Sequence, residues 1–353
     1  MRIAEVSPLF ESVPPRYYGG TERVVAYLTN ELVRQGHEVT LFASGDSVTL
    51  AELVSTCSEA LRLGRQFTEW MPHHLIMLEQ VFKRREEFDV IHFHVDYLHF
   101  PFSRRENAPH LTTLHGRLDI PDLLPLYREY REMPVVSISN SQRLPLPWLH
   151  WLGTVYHGIP PNLYRLHQRP GQYLAFLGRI SPEKRVDRAI RIAERVGVPL
   201  KIAAKVDKQD LDYYESLKKL LKRPHVEYVG ELGETEKHEF LGNALALLFP
   251  IDWPEPFGLV MIEAMACGTP TIAYANGSVP EIIVDGLTGF IVHDFQGAVE
   301  AVNRIHTLDR KQCRRSFEER FTATRMASDY VSLFSHLANE PTRTLRLAEQ
   351  SVF

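Results

Sequence analysis

The same strand–loop–helix–strand pattern starts twice in this chain, once at its first residues and again near residue 172. Residues 2–7 read as a short buried strand, and a Gly- and Pro-rich loop follows. The spacing then predicts a helix over 21–35, with Val24, Val25, Leu28, Leu32 and Val33 on its apolar face. Thr21 is the expected N-cap, Glu22 suits the first turn and Gly36 the C-terminus. A strand over 38–43 completes the first βαβ unit. The second unit has a strand over 173–177, a loop to 184, an amphipathic helix over 186–196 and a strand over 200–204. Further strands are expected at 90–93, 111–114, 135–139, 226–229, 246–249 and 271–273, with helical segments between most of them.

Strands alternating with helices build parallel, doubly wound sheets. Two such units predict an α/β chain of two Rossmann-like domains facing a central cleft. The expected bounds are 1–160 and 161–325, with a Pro- and Gly-rich linker near 158–171. The last helical pattern begins near Met326, and the segment 326–353 is expected to pack back onto the first domain. The tail after Pro341 is polar and weakly patterned. In such sheets ligands bind outside the carboxyl ends of the strands, so the cleft is where chemistry is expected.

Bulk properties narrow the partners. Formal charge is 40 − 44 = −4, which gives no reason to expect nucleic acid or an anionic membrane. Cys57, Cys267 and Cys313 are few, odd in number and far apart, and no CxxC occurs. A reducing, cytoplasmic setting is therefore expected. The opening MRIAEVSPLF lacks the apolar run of a signal peptide. No stretch approaches the roughly 18 apolar residues of a membrane span.

The run EPFGLVMIEAMACGTP, 255–270, carries the most chemistry. Glu255 and Glu263 stand eight positions apart, just over two helical turns, so both carboxylates are expected near one face. Pro254 and Pro256 stiffen the entry loop, and Gly258 admits a ligand close to the backbone. Amides opening the following helix are unpaired donors at the positive end of its dipole. That suits a phosphate, with the carboxylates accepting from sugar hydroxyls beside it.

Other motifs fall where strands end. GGTER puts Gly19 and Gly20 at the opening of the first helix, without the GxGxxG or Walker pattern of a nicotinamide or ATP site. GRISPEKR follows a strand and projects Arg179 and Lys184 toward the cleft, where both suit a phosphate. TLHGR closes another strand with His115 and Arg117. HFHVDYLH places His92, His94 and Asp96 in alternation, but a metallohydrolase HxHxDH pattern needs His where Tyr97 stands. No metal is expected there.

With these motifs in hand, the chain resembles a retaining glycosyltransferase of family 4 with the GT-B fold. The similarity runs from GGTERVV through LVRQGHEVTLFAS, DVIHFH, TLHG, HGI, GRISPEK and the 255–270 run to GSVPEIIVDGLTGFIV. The resemblance implies a UDP- or GDP-sugar donor held mostly by the second domain, a hydroxyl-bearing acceptor and no metal or other cofactor. Arg179 and Lys184 would bind the diphosphate, Glu263 the ribose hydroxyls and Glu255 the transferred sugar. Backbone amides around Phe257, Gly258 and Leu259 would meet sugar or phosphate. Gly19 and Gly20 would lie against the donor from the other domain, and His115 would touch the sugar near the reacting carbon. Tyr17, Tyr18, Asp96, Arg117 and Arg143 are expected on the acceptor side.

The chain departs from the family at Arg185, where Gly is common, and at 203–207, AAKVD, where a Gly-rich turn is common. Lys205 is therefore a candidate extra cation near the nucleotide, Trp253 a candidate wall of the sugar pocket, and 229–232 the expected base-reading loop. Two other readings compete: a sugar-nucleotide-binding protein without turnover, and a metallohydrolase on His92, His94 and Asp96.

Overall fold

The computed structural model describes residues 1–339 except 18, 63, 65, 66, 107 and 170. Tyr18 and the tail after Pro341 thus lie outside the described residues. The first sheet has seven strands: β1 (Arg2–Val6), β2 (Glu38–Phe42), β3 (Glu52–Val54), β4 (Val90–Phe93), β5 (His110–Thr113), β6 (Val135–Ser137) and β7 (Trp151–Thr154). The second has six: β8 (Tyr173–Arg179), β9 (Leu200–Lys205), β10 (Val226–Gly230), β11 (Ala244–Phe249), β12 (Thr271–Tyr274) and β13 (Gly289–Val292). Their orders are β3-β2-β1-β4-β5-β6-β7 and β10-β9-β8-β11-β12-β13, and every strand pair is parallel.

Each sheet therefore reverses direction beside its first strand, between β1 and β4 and between β8 and β11. These switch points open crevices at the carboxyl ends, and the two crevices share one cleft. Strands β1, β2 and β4 are almost wholly buried, which is why they read as apolar runs and not as alternations.

The predicted helix over 186–196 is found with those bounds, Val186–Val196, and Gly197 closes it at φ 68°. The first helix runs Gly20–Arg34, one residue ahead of the expected start. Gly19 occupies the N-cap with no side-chain bond, so Thr21 lies inside the first turn and does not cap it. Three strands escape the sequence patterns: β3 and β7, at the edges of the first sheet, and β13, at the edge of the second. Edge strands of three or four residues carry too few alternations to register.

The last described helix, Ala323–Asn339, crosses back to the first sheet. Tyr330 shares a 2.8 Å hydrogen bond with Thr113 at the end of β5, and Thr324 donates to Glu31 at 2.9 Å. Arg325 donates to the carbonyls of Tyr156 and His157. No helix of the described residues is long and apolar enough to cross a membrane.

Candidate active site

A cavity of about 410 Å³ lies between the two sheets. Its walls come from the segments after β1, β5, β6, β7, β8, β10 and β11, from the carboxyl ends of β8 and β9, and from the openings of three helices. Five cationic side chains (Arg23, Arg179, Lys184, Lys205, Lys237) and three carboxylates (Glu231, Glu255, Glu263) line it. The lining is therefore net basic in a chain of net charge −4, which favours an anionic ligand at this place.

The loop from β11 into the helix Leu259–Ala266 forms the centre of the second-domain wall. That helix is LVMIEAMA, apolar except for Glu263, and it is buried from Met261 to Ala266 while Leu259 and Val260 stay half-buried at the cavity. Gly258 precedes it with φ 79°, a left-handed turn that glycine makes without strain. The helix starts only at Leu259, so Glu255 lies in the loop and Glu263 within the helix. Both carboxylates still line the cavity. Their convergence comes from the loop's path rather than from the helical spacing used to predict it.

Hydrogen bonds stitch that loop to the segment after β12. The Ser278 amide donates to the Glu255 carbonyl at 2.9 Å, the Ser278 hydroxyl donates to the Phe257 carbonyl at 2.8 Å, and the Asn276 amide group donates to the Ile251 carbonyl at 2.9 Å. Gly277, at φ 58°, presses against the backbone of Pro254 and Glu255, where any Cβ would overlap main-chain atoms. Gly277→Ala is expected to lower stability by about 1–3 kcal/mol, seen as a drop in melting temperature. An unchanged melting temperature would mean that the loop has slack and that Gly277 does not set the place of Glu255.

Glu255 is 8 % exposed and holds two partners through one oxygen. Lys184 forms an ion pair with its Oε2, and the Trp253 indole donates to the same atom at 3.0 Å. The Lys184 ammonium lies 4.9 Å from the centre of the Trp253 ring and 5.6 Å from that of Phe249, so two aromatic faces also hold it. Arg179, at the end of β8, pairs with Glu183 and lies 3.3 Å from Asp210 and 3.6 Å from Asp207. Lys205 pairs with Asp207 at 2.6 Å. Glu263, 3 % exposed, takes the Lys237 ammonium at 3.1 Å and the Tyr164 hydroxyl at 3.4 Å. Burial pulls the Lys237 ammonium below the usual lysine range, and Glu263 draws it part of the way back.

From the first domain, Tyr17, Gly19, Gly20, Arg23 and His115 face the same cavity. A Cβ on Gly20 would stand 3.8 Å from the Leu259 side chain, which shows how closely the two helix openings approach. Arg23 pairs across the cleft with Glu234, and its guanidinium donates to the Tyr17 carbonyl at 2.6 Å.

The remaining acceptor-side expectations fall elsewhere. Asp96, Arg117 and Arg143 are not among the lining residues. Arg117 is held by Asp119 and reaches the cavity only through Trp253, 5.8 Å from its ring centre. Arg143 lies over Trp151 instead. Asp96 sits in a left-handed turn at φ 49° just past β4, and its carboxyl takes the backbone N–H of His115. Burial pushes that carboxyl up to about 6. The turn also removes Asp96 from the face shared by His92 and His94, so the HxHxD alternation does not continue. Those two imidazoles converge on Glu5, their ligand-type atoms within 4.8 Å of one another, and both are hydrogen-bonded to its carboxylate.

Some cavity residues had no assignment from sequence. His157, in HGI, lines the cavity with its ring stacked on that of His115 at 5.3 Å. Arg23 stands in GGTER, inside the predicted helix over 21–35, with no role assigned to it. Lys237 falls in EKHEFL, a segment with no motif to mark it. Lys205, Trp253 and Leu232 were singled out, and all three line the cavity.

Two facing doubly wound sheets, with a basic cleft between their carboxyl ends, make up a GT-B fold. Residues 18–196, just over half of the chain, match the profile of Glycosyltransferase Family 4, and residues 166–320 match that of Glycosyl transferases group 1. The chain belongs to glycosyltransferase family 4. It is 26 % identical to the N-acetyl-alpha-D-glucosaminyl L-malate synthase of Bacillus anthracis, over 90 % of this chain and 93 % of that protein. It is 25 % identical to the O-antigen chain mannosyltransferase C of Escherichia coli, over 96 % and 99 % of the two chains. Among solved structures, Anabaena HepE in complex with UDP and glucose superposes with a TM-score of 0.74 at 17 % identity, covering 95 % of this chain and all of that one.

Proposed function

We propose that the protein moves a hexose from a UDP- or GDP-sugar to a hydroxyl acceptor, with retention at the anomeric carbon and without a metal. The observation that carries this reading is the meeting of Arg179, Lys184, Glu255 and Glu263 with Gly20 and His115 around one cavity. HepE, the structural neighbour crystallised with UDP and glucose, lends support through its shared fold.

In this reading Arg179 and Lys184 bind the diphosphate. Breaking a glycosyl–phosphate bond builds negative charge on the departing oxygen, and fixed cations stabilise that charge most at the transition state. Amides at Phe257, Gly258 and Leu259 add donors at a helix opening. Glu263 holds the ribose hydroxyls, Glu255 a hydroxyl of the sugar, and His115 the sugar near its reacting carbon. The acceptor hydroxyl attacks from the face that the diphosphate leaves, passing its proton to a leaving phosphate oxygen. Tyr17, an exposed ring on the cavity wall, is the acceptor-side residue best placed to stack on a sugar.

The test is a melting-temperature panel of UDP, GDP, ADP and their common sugars, with and without chelator. Stabilisation by one nucleotide family, unchanged by chelator, is the expected result. No shift with any nucleotide would overturn the donor-site reading, and a shift abolished by chelator would overturn metal independence. Release of free sugar from the stabilising donor then separates a transferase from a binding protein without turnover.

A further inference from the structure

The first domain holds a buried hydrogen-bonded chain that ends at His115. Strands β1, β4 and β5 are neighbours, with Glu5 in register with His92 and His92 with Leu111. Glu5 is 0 % exposed between two imidazoles. Its Oε1 lies 3.1 Å from His92 Nδ1 and its Oε2 lies 2.7 Å from His94 Nε2. His94 Nδ1 in turn lies 2.8 Å from His115 Nε2. The far nitrogen of His92 meets Thr113 Oγ1 at 2.8 Å, and Thr113 shares its hydroxyl with Tyr330.

The order of donors in this chain follows from one charge. Burial alone would raise the Glu5 carboxyl, but the two histidines hold it at about 2, so it is ionised and can only accept. His94 Nε2 must therefore carry the hydrogen that faces Glu5. Burial, with His92 beside it, holds His94 down to about 4, so it is neutral and has a single N–H. Its Nδ1 is then a lone pair, and His115 Nε2 must donate to it. His115 is pushed well below the usual histidine range by the same burial and by its histidine neighbours. That leaves His115 Nδ1 as a lone pair, buried and without a hydrogen-bond partner among the described residues. An orphaned buried acceptor is unfavourable until something donates to it.

We propose that Glu5 and His94 are positioning residues for the transfer reaction, fixing His115 as its Nε2–H tautomer so that Nδ1 accepts from a hydroxyl of the sugar being transferred. This rests on the reading of the cleft as a donor-sugar site. A carboxylate separated from His115 by one imidazole thus decides whether His115 accepts from the sugar or donates to it, which a change in shape alone would not.

The experiment uses the full chain with two probes, the nucleotide diphosphate and the nucleotide-sugar that the melting panel selects. Four variants are compared: Glu5→Gln, Glu5→Leu, His94→Leu and His94→Asn. Asparagine places an amide oxygen near the position of imidazole Nδ1 and still accepts from His115, whereas leucine cannot. Both leucine variants are expected to weaken nucleotide-sugar binding and lower kcat by about tenfold each, as loss of one aligned hydrogen bond implies, while nucleotide diphosphate affinity stays within about twofold. His94→Asn is expected to recover most of the loss. If a leucine variant fails to fold, Glu5→Gln and His94→Asn carry the comparison, with Glu5→Gln expected to fall below His94→Asn. Equal loss of affinity for both probes, or variants that all match the native chain, would overturn the proposal. A native chain that binds neither probe would instead overturn the donor-site reading.

Discussion

Replacing Lys184 with alanine is expected to lower kcat/KM for transfer by about tenfold to a hundredfold or more, with most of the loss in kcat. A charge-assisted hydrogen bond is worth roughly 1.5–3 kcal/mol, and each 1.4 kcal/mol or so is a tenfold rate factor. The loss should fall on kcat because the leaving diphosphate gains charge on the way to the transition state. Lys184→Arg should rescue little: the lysine ammonium lies over the rings of Trp253 and Phe249, and a planar guanidinium does not match a point charge there. Among the described residues, removing Lys184 leaves the buried Glu255 carboxylate with the Trp253 indole N–H as its remaining side-chain donor, so a moderate fall in melting temperature should accompany the kinetic loss. Steady-state kinetics at saturating acceptor, beside a melting curve, check both. A change in kcat below about threefold would remove Lys184 from the stabilisation of the leaving group.

The parts of this site legible in sequence are those that the backbone builds. GRISPEK follows a strand, GGTE opens a helix and EPFG leads into a helix, and strand ends and helix openings are the places that turn chemistry marks. Arg179, Lys184, Gly20, Glu255 and Glu263 all line the cavity for that reason. The parts that stayed hidden depend on long-range pairing. Lys237 meets Glu263 and Arg23 meets Glu234, pairs that no local pattern records. Glu5 is one charge in a short buried strand, and its partners His92 and His94 come from β4 and the residue just past it, 87 and 89 positions away.

Arg185 makes the same point from the other side. It stands where the family commonly has Gly, and it adopts the left-handed conformation that glycine would favour, at φ 53°. Such a conformation costs a residue with a Cβ about 1–2 kcal/mol. Ion pairs to Asp187 at 2.9 Å and Asp252 at 2.8 Å hold it there. The departure is visible in the sequence, but its compensation is not, because Asp252 lies 67 positions away.

Removing the Glu263 carboxylate is expected to damage stability and binding separately, and one added substitution should divide the two. Glu263 is the only charge in an otherwise apolar buried helix, and the ammonium of Lys237 lies 3.1 Å from it. Breaking one side of a buried pair strands the other charge, at a cost of about 3–5 kcal/mol, whereas replacing both partners with apolar residues is often neutral or stabilising. Glu263→Leu should therefore lower the melting temperature by roughly 5–15 °C. Adding Lys237→Met should return it to within a few degrees of the native value, since the stranded ammonium is gone. If the Glu263 carboxylate grips the ribose hydroxyls, affinity for the nucleotide diphosphate should fall about tenfold or more in the single variant and stay low in the double. A double variant that regains both stability and nucleotide affinity would mean that the pair only braces the cleft wall. The ribose would then have to be held by another group, and Glu231, the lining carboxylate within the segment 229–232, is the next candidate.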